Sequence, residues 1–185
     1  METIRSFQPK DRDNVRNICL VNADNPKTQR QQDFVLYTYC DYYLEVEPEN
    51  CFVAVNEKDE AIGYTYCAEN YANFQERFNE IFSPKLKALG NSKWKSSLDS
   101  YRLHAKYAEE YPAHLHIDIL DDYQRKGLGS KLMSTLIEHL KTKKIPGLML
   151  TVGGNNEAGI NFYKKYGFAE LEKGSDDVAM GIKLK

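Results

Sequence analysis

The stretch Gln124-Arg125-Lys126-Gly127-Leu128-Gly129-Ser130 has the composition of an anion site. Its two glycines let a backbone come close to a ligand, and two cations stand beside them. An apolar run over residues 114–120 precedes it, and residues 128–140 follow with helical spacing, so the glycines mark a strand-to-helix turn. The first amides of a helix have no partner inside it and point at whatever lies ahead. The chemistry expected of this turn is the holding of a pyrophosphate. In the strand before it, Asp118 stands among Ile117, Ile119 and Leu120. A carboxylate is costly to bury there, and desolvation raises its pKa toward the range of a working base. His114 and His116 alternate with Asp118, so an unbulged strand presents all three on one face. Either imidazole is an alternative proton acceptor, with the better intrinsic pKa.

Two common phosphate loops do not fit. A P-loop needs G-x-x-x-x-G-K-[ST], and the dinucleotide fingerprint needs G-x-G-x-x-G, whereas position 132 is Leu. What stands here is Gln-x-x-Gly-x-Gly. It resembles motif A, [QR]-x-x-G-x-[GA], of the GNAT superfamily of acetyl-CoA-dependent N-acetyltransferases. Beyond the next strand comes Asn156-Glu157-Ala158-Gly159-Ile160-Asn161-Phe162-Tyr163-Lys164-Lys165-Tyr166-Gly167-Phe168. This resembles GNAT motif B, N-x-x-A-x-x-[FL]-Y-x-x-x-G-F. Asn156, Phe162, Tyr163, Gly167 and Phe168 match, and Gly159 stands for the usual Ala, small for small. Two motifs in the right order are far more specific than either alone.

The bulk properties are compatible with such an enzyme and exclude other classes. The chain has 185 residues, a length that suits one domain over 1–185. A formal net charge of -2 gives no general affinity for nucleic acid. No stretch approaches the roughly 20 apolar residues of a membrane span. The start Met1-Glu2-Thr3-Ile4-Arg5-Ser6 lacks the basic and apolar regions of a signal peptide, so a cytoplasmic protein is expected. Cys19, Cys40, Cys51 and Cys67 have no paired spacing and read as buried free thiols. No metal site is expected.

The elements that must position these residues follow from periodicity and breakers. Residues 4–7 alternate as a first strand. A helix follows, capped by Asp11 or Asp13, with Val15, Ile18, Cys19 and Val21 on its apolar stripe. Residues 28–45 read as one further helix. Its face of Phe34, Val35, Tyr37, Tyr39, Tyr42, Tyr43 and Leu44 serves packing or the lining of an acceptor pocket. Residues 51–55 and 61–68 form a hairpin around a charged turn. About residues 69–111 the chain reads as a two- or three-helix insertion, either a buttress (or dimer surface) or a lid over the acceptor. Its apolar faces are Phe74, Phe78, Ile81 and Phe82, then Leu98, Tyr101, Leu103, Ala105 and Ala108. In the helix after the glycine turn, Leu128, Leu132, Leu136 and Leu140 point inward, with Met133 and Ile137 outside. Strand five, the motif B helix and a last hairpin complete an α/β order.

The resemblance implies a GNAT fold. That is a mixed, mostly antiparallel twisted sheet with strands 4 and 5 splayed and helices on both sides, here with a helical insertion between strands 3 and 4. It implies acetyl-CoA as cofactor. Backbone groups of Ile119 and Leu120 would pair with the pantetheine arm. Gln124, Arg125, Lys126, Gly127, Leu128, Gly129 and Ser130 would hold the pyrophosphate, and Asn156 would approach from the other side. Acetyl transfer needs a neutral amine, donors for the oxyanion and a proton for the departing thiolate. Tyr163 matches the family's thiolate-protonating tyrosine, and an unperturbed tyrosine is protonated at pH 7. Asp118 ranks first as base and His116 second, with His114 the remaining alternative. His114-Leu115-His116 also resembles the paired histidines of arylalkylamine acetyltransferases, one residue out of register. The run from Tyr111 into the glycine turn resembles most closely the acetyltransferase-like domain of O-GlcNAcases and its free-standing bacterial relatives. The expected function is acetylation of a primary amine of a small molecule or peptide, by direct attack, in a possible homodimer. The alternative is an inactive acyl-CoA-binding or interaction module, a pseudo-acetyltransferase.

Overall fold

The computed structural model describes residues 2–184; Met1 and Lys185, the end residues of the expected 1–185 domain, lie outside the described residues. Strand β1 (Thr3–Ser6) leads to helices α1 (Arg12–Asn22), α2 (Gln29–Tyr39) and α3 (Asp41–Val46). The hairpin of β2 (Cys51–Val55) and β3 (Ala61–Ala68) follows. Helices α4 (Tyr71–Ile81), α5 (Ser83–Ala88), α6 (Asn91–Ser100) and α7 (Arg102–Tyr107) then precede β4 (Ala113–Ile119). Helix α8 (Leu128–Thr142), β5 (Gly147–Gly153), α9 (Glu157–Lys165), β6 (Ala169–Lys173) and β7 (Asp177–Lys183) complete the order. The seven strands lie in the sequence β1-β2-β3-β4-β5-β7-β6. Among the described residues only β4 and β5 run parallel, and their ladder covers just Ala113↔Leu148 and His114↔Met149. Beyond those pairs the two strands part. Among the described residues no helix is long and apolar enough to cross a membrane.

Each face of the sheet buries its own core, as period-2 side-chain alternation requires. One face carries Cys51, Val53, Tyr64 and Tyr66 against α1 to α5. The other carries Phe52, Ala54, Leu115 and Leu150 against α8. A bulge between β2 and β3 decides where the tyrosines fall. Ala54 pairs with Gly63 but Val55 pairs with Ala61, so Ile62 is an extra residue. Ala61 and Tyr64 thereby join the same core while Ile62 joins the other.

Several expectations are corrected. Residues 28–45 are not one helix: the chain breaks at Cys40, with φ −129° and ψ −63°. The cause is local. The hydroxyls of Tyr101 and Tyr66 donate to the carbonyls of Thr38 and Tyr39, the acceptors that a continuous helix would offer to its own amides. Met133 and Ile137 are buried, at 0% and 9% exposure, because α8 lies across one face of the sheet and presents more than one row of side chains to it. The segment between β3 and β4 holds four helices rather than two or three. Phe74, Phe78 and Phe82 pack inward as expected, but the break at Tyr101 leaves Leu98 at 41% exposure and Ala105 exposed. The first-helix stripe of Val15, Ile18 and Cys19 is buried. Asp11 stands at the N-cap position of α1 as expected, but its carboxylate accepts from Arg5 and from the Gln8 amide instead of from the helix.

Candidate active site

The turn after β4 is shaped for an anion. Arg125 (φ 58°) and Gly127 (φ 81°) both adopt the left-handed conformation, which turns successive amides to one side. Gly127 is the N-cap of α8, and the first helical bond runs from the Lys131 amide to its carbonyl at 3.1 Å. The amides of Leu128, Gly129 and Ser130 therefore have no intrahelical acceptor. The Leu128 side chain is in the core, so only its backbone belongs to the turn. Gln124 fastens the turn to the strand: its Nε2 donates to the Ile119 carbonyl and to Asp121 Oδ1, both at 2.9 Å. The Lys126 ammonium lies 4.9 Å from the Tyr123 ring centre.

A cavity of about 440 Å³ opens above this turn, between β4 and α9, on the side where β5 has parted from β4. Ile119, Gln124, Arg125, Gly127, Gly129, Ser130, Asn156 and Tyr163 line it, as do Asp118 and, unforeseen from the sequence, Asn22, Ile117, Ala158 and Phe162. Lys126 and Leu120 are not among its walls. The Leu120 amide donates to the Ile62 carbonyl at 3.0 Å, and its own carbonyl accepts from Tyr123 at 2.9 Å. By the alternation of an antiparallel ladder, the amides of Ile117 and Ile119 face the opposite edge, where β5 has drawn away. The strand edge open to a ligand is thus Ile117 and Ile119, not Leu120. Asn156 caps α9, its Oδ1 accepting from the Gly159 amide at 2.8 Å. A Cβ at Gly159 would stand 2.8 Å from the Asn156 amide nitrogen, which gives a reason for glycine where the motif usually has alanine. Tyr166 donates to the Ser130 carbonyl at 2.9 Å and ties α9 to α8.

Asp118 stands where this cavity meets a second one. Both are lined by Asp118 and Asn22, and the second, about 130 Å³, adds Cys19, Ala23, Val35, Tyr39, Tyr64 and His116. Burial pushes the Asp118 carboxyl up to about 6, against a hydrogen bond from the Tyr64 hydroxyl that acts downward. His116 is half-buried, bonds through Nε2 to the Tyr43 hydroxyl at 3.1 Å, and is pushed down by burial to about 4. His114 shares the face, as its cross-strand partner Ala68 and its aromatic surroundings show, but it is 1% exposed and lines neither cavity. Its Nε2 bonds the same Tyr43 hydroxyl at 2.9 Å. Of the three, Asp118 combines access to both cavities with the greater proton affinity.

Tyr163 projects from α9 into the first cavity, its ring held by Phe162 and Phe168 at 5.3 and 5.8 Å between centroids. Its hydroxyl bonds to no described residue. Burial, and then the charge of Asp118, raise its pKa, so it stays protonated at neutral pH. The tyrosines of residues 37–43 divide: Tyr42 and Tyr43 are core, whereas Tyr39 lines the second cavity. No residue of α4 to α7 lines either cavity. Those helices stand behind the second one, with Ser100 bonded to the Tyr39 hydroxyl at 2.7 Å.

The acetyltransferase (GNAT) family model matches residues 16–168 of the sequence. Over 55 residues the chain is 40% identical to the [ribosomal protein bS18]-alanine N-acetyltransferase of Salmonella typhimurium. That match covers 30% of this chain and 37% of the relative, little more than a third of its length. The crystal structure of SsHAT is similar with a TM-score of 0.88 at 23% identity, over 100% of this chain and 98% of that one. The PaiA N-acetyltransferase from Thermoplasma acidophilum, in complex with coenzyme A, aligns at a TM-score of 0.63 and 16% identity, over 99% of each chain. At such identities the two structures share the fold.

Proposed function

The chain belongs to the acetyltransferase (GNAT) family, and on that footing we propose that it is an acetyl-CoA-dependent N-acetyltransferase acting on a primary amine of a small molecule or peptide. Acetyl-CoA is the cofactor of the family. The residues present suit it: the start of α8, with its amides that have no intrahelical acceptor, and an open strand edge border one cavity of about 440 Å³. Residues 125–130 would hold the pyrophosphate, the amides of Ile117 and Ile119 the pantetheine arm, and Asn156 the far wall. When bound, the cofactor supplies an acetyl group activated as a thioester. The observation that carries the proposal is the position of Asp118 at the junction of the two cavities, with Tyr163 lining the first of them.

The second cavity suits an amine. It offers one carboxylate, one neutral imidazole, two tyrosines and no cation. An alkylammonium must lose a proton before it can attack. Asp118 takes that proton on its carboxylate, and Tyr163 gives its hydroxyl proton to the departing sulfur. The sign of the pH dependence follows. Asp118 accepts protons only when ionised, so turnover is expected to fall as pH drops through about 6 and to level off above it. Steady-state kcat/KM across pH, with free thiol as readout and a panel of amine acceptors, checks this. Tight acetyl-CoA binding with no thiol released for any acceptor would instead favour an inactive acyl-CoA-binding module. Tyr163→Phe is expected to lower kcat by about 10²-fold, at the lower end for general acid catalysis, and to leave acetyl-CoA affinity within about twofold. An unchanged kcat would remove Tyr163 from this role.

A further inference from the structure

We propose that Tyr64 is the positioning residue that sets the ionisation and the orientation of Asp118, an inference that rests on the base role given to Asp118. Tyr64 on β3 lies directly opposite Asp118 on β4, and its hydroxyl donates to Asp118 Oδ2. That contact depends on the bulge at Ile62. Were Ile62 paired regularly from the Val55–Ala61 end instead of bulged out, Tyr64 would fall opposite Phe52, on the α8 face, and no hydroxyl would stand across from the carboxylate. The neighbouring glycine completes the arrangement: a Cβ on Gly63 would meet Ile119 Cγ1 at 2.8 Å and the Asp118 carbonyl at 3.1 Å, so the two strands approach closely only because it has none.

The ring of Tyr64 cannot wander. It is 1% exposed and lies flat on Tyr66, with centroids 4.4 Å apart and planes 6° from parallel. Tyr66 in turn stacks on Tyr43 at 4.6 Å and 16°. The clamped hydroxyl occupies one carboxylate oxygen and leaves Oδ1 for the acceptor. Burial and the nearby Asp118 charge raise the pKa of Tyr64 well above its ordinary value, so it remains a donor throughout the range in which Asp118 titrates. The other titratable or charged groups that line the two cavities with Asp118 are His116 on its own strand, Tyr163 on α9, Cys19 on α1, Tyr39 on α2 and Arg125 in the glycine turn. None of them has a hydrogen bond to the carboxylate among the described residues. Tyr64 alone therefore opposes the upward push of burial on Asp118.

The test is Tyr64→Phe, which keeps the stacked ring and removes the donor. Asp118 is titrated by carboxyl-carbon NMR in the free protein, and the acid limb of kcat/KM is measured in parallel. The NMR midpoint is expected to rise by about one pH unit, the effect of one hydrogen bond to a charged group. Tyr42→Phe, which deletes a buried hydroxyl of the same aromatic cluster bonded to Glu47, is expected to leave it in place. A midpoint that does not move in folded Tyr64→Phe, or that moves equally in Tyr42→Phe, overturns the proposal. The acid limb reports separately on the base. If the NMR midpoint rises and the acid limb stays, Tyr64 acts on Asp118 as proposed, and Asp118 is not the base.

Discussion

Asp118→Asn is expected to lower kcat by about 10²–10⁴-fold, the range for loss of a general base, with acetyl-CoA affinity within about twofold of the parent. The change is isosteric, so the cavity wall and the cofactor turn keep their shape. What disappears is the proton acceptor between the two cavities. His116 is a poor substitute, because burial holds it at about 4, lower in proton affinity than Asp118 at about 6. The acid limb near 6 should vanish with the carboxylate, and the residual rate should instead rise with the fraction of acceptor already neutral. Calorimetry with acetyl-CoA and a pH series of initial rates measure the two halves. Wild-type turnover in the variant, or an acid limb that survives it, would show that the base lies elsewhere.

Gly129→Glu is expected to weaken acetyl-CoA binding by at least about 100-fold, to the point of loss in calorimetry. Gly129 supplies one of the partnerless amides of α8 and lines the cavity. The position tolerates some volume: a Cβ there would rest 3.5 Å from the Phe162 ring and 3.6 Å from Ile119 Cδ1, ordinary contacts. Gly129→Ala should therefore bind within about tenfold of the parent, which separates volume from charge. A glutamate adds a chain that fills the space and a negative charge facing a dianionic pyrophosphate, where the helix start favours anions by the opposite sign. The substitution lies on the first turn of α8, so thermal unfolding should show a folded protein. Tight binding by Gly129→Glu would remove the turn from the cofactor site.

Much of the site could be read from the chain because its parts are local. The glycine turn, its cations and the helix that follows are contiguous, and Asn156 to Tyr163 lie within one helix and its cap. The shared face of His114, His116 and Asp118 follows from the pleat of a strand, and the register with Ala68, Tyr66 and Tyr64 bears it out. Parts that depend on a partner strand or a distant helix were not legible. Leu120 looked as available as Ile119 until the Ile62 carbonyl took its amide. Residues 28–45 carried a helical pattern throughout, and only the hydroxyls of Tyr66 and Tyr101, far along the chain, break it at Cys40. Asn22 had no signal at all; it reaches both cavities because α1 lies across β3 and β4.

The sequence by itself determined that this protein has a strand, an anion-holding turn and a helix, with a carboxylate before the turn and a tyrosine after it, because short-range periodicity and glycine placement are properties of neighbouring residues. It could not determine which face of β3 meets that carboxylate. One extra residue in a strand exchanges its two faces, and whether Ile62 is that residue depends on how β3 pairs with β2. The tertiary structure decided it, and with it the partner of Asp118, the parting of β4 from β5 and the junction of the two cavities at a single carboxylate.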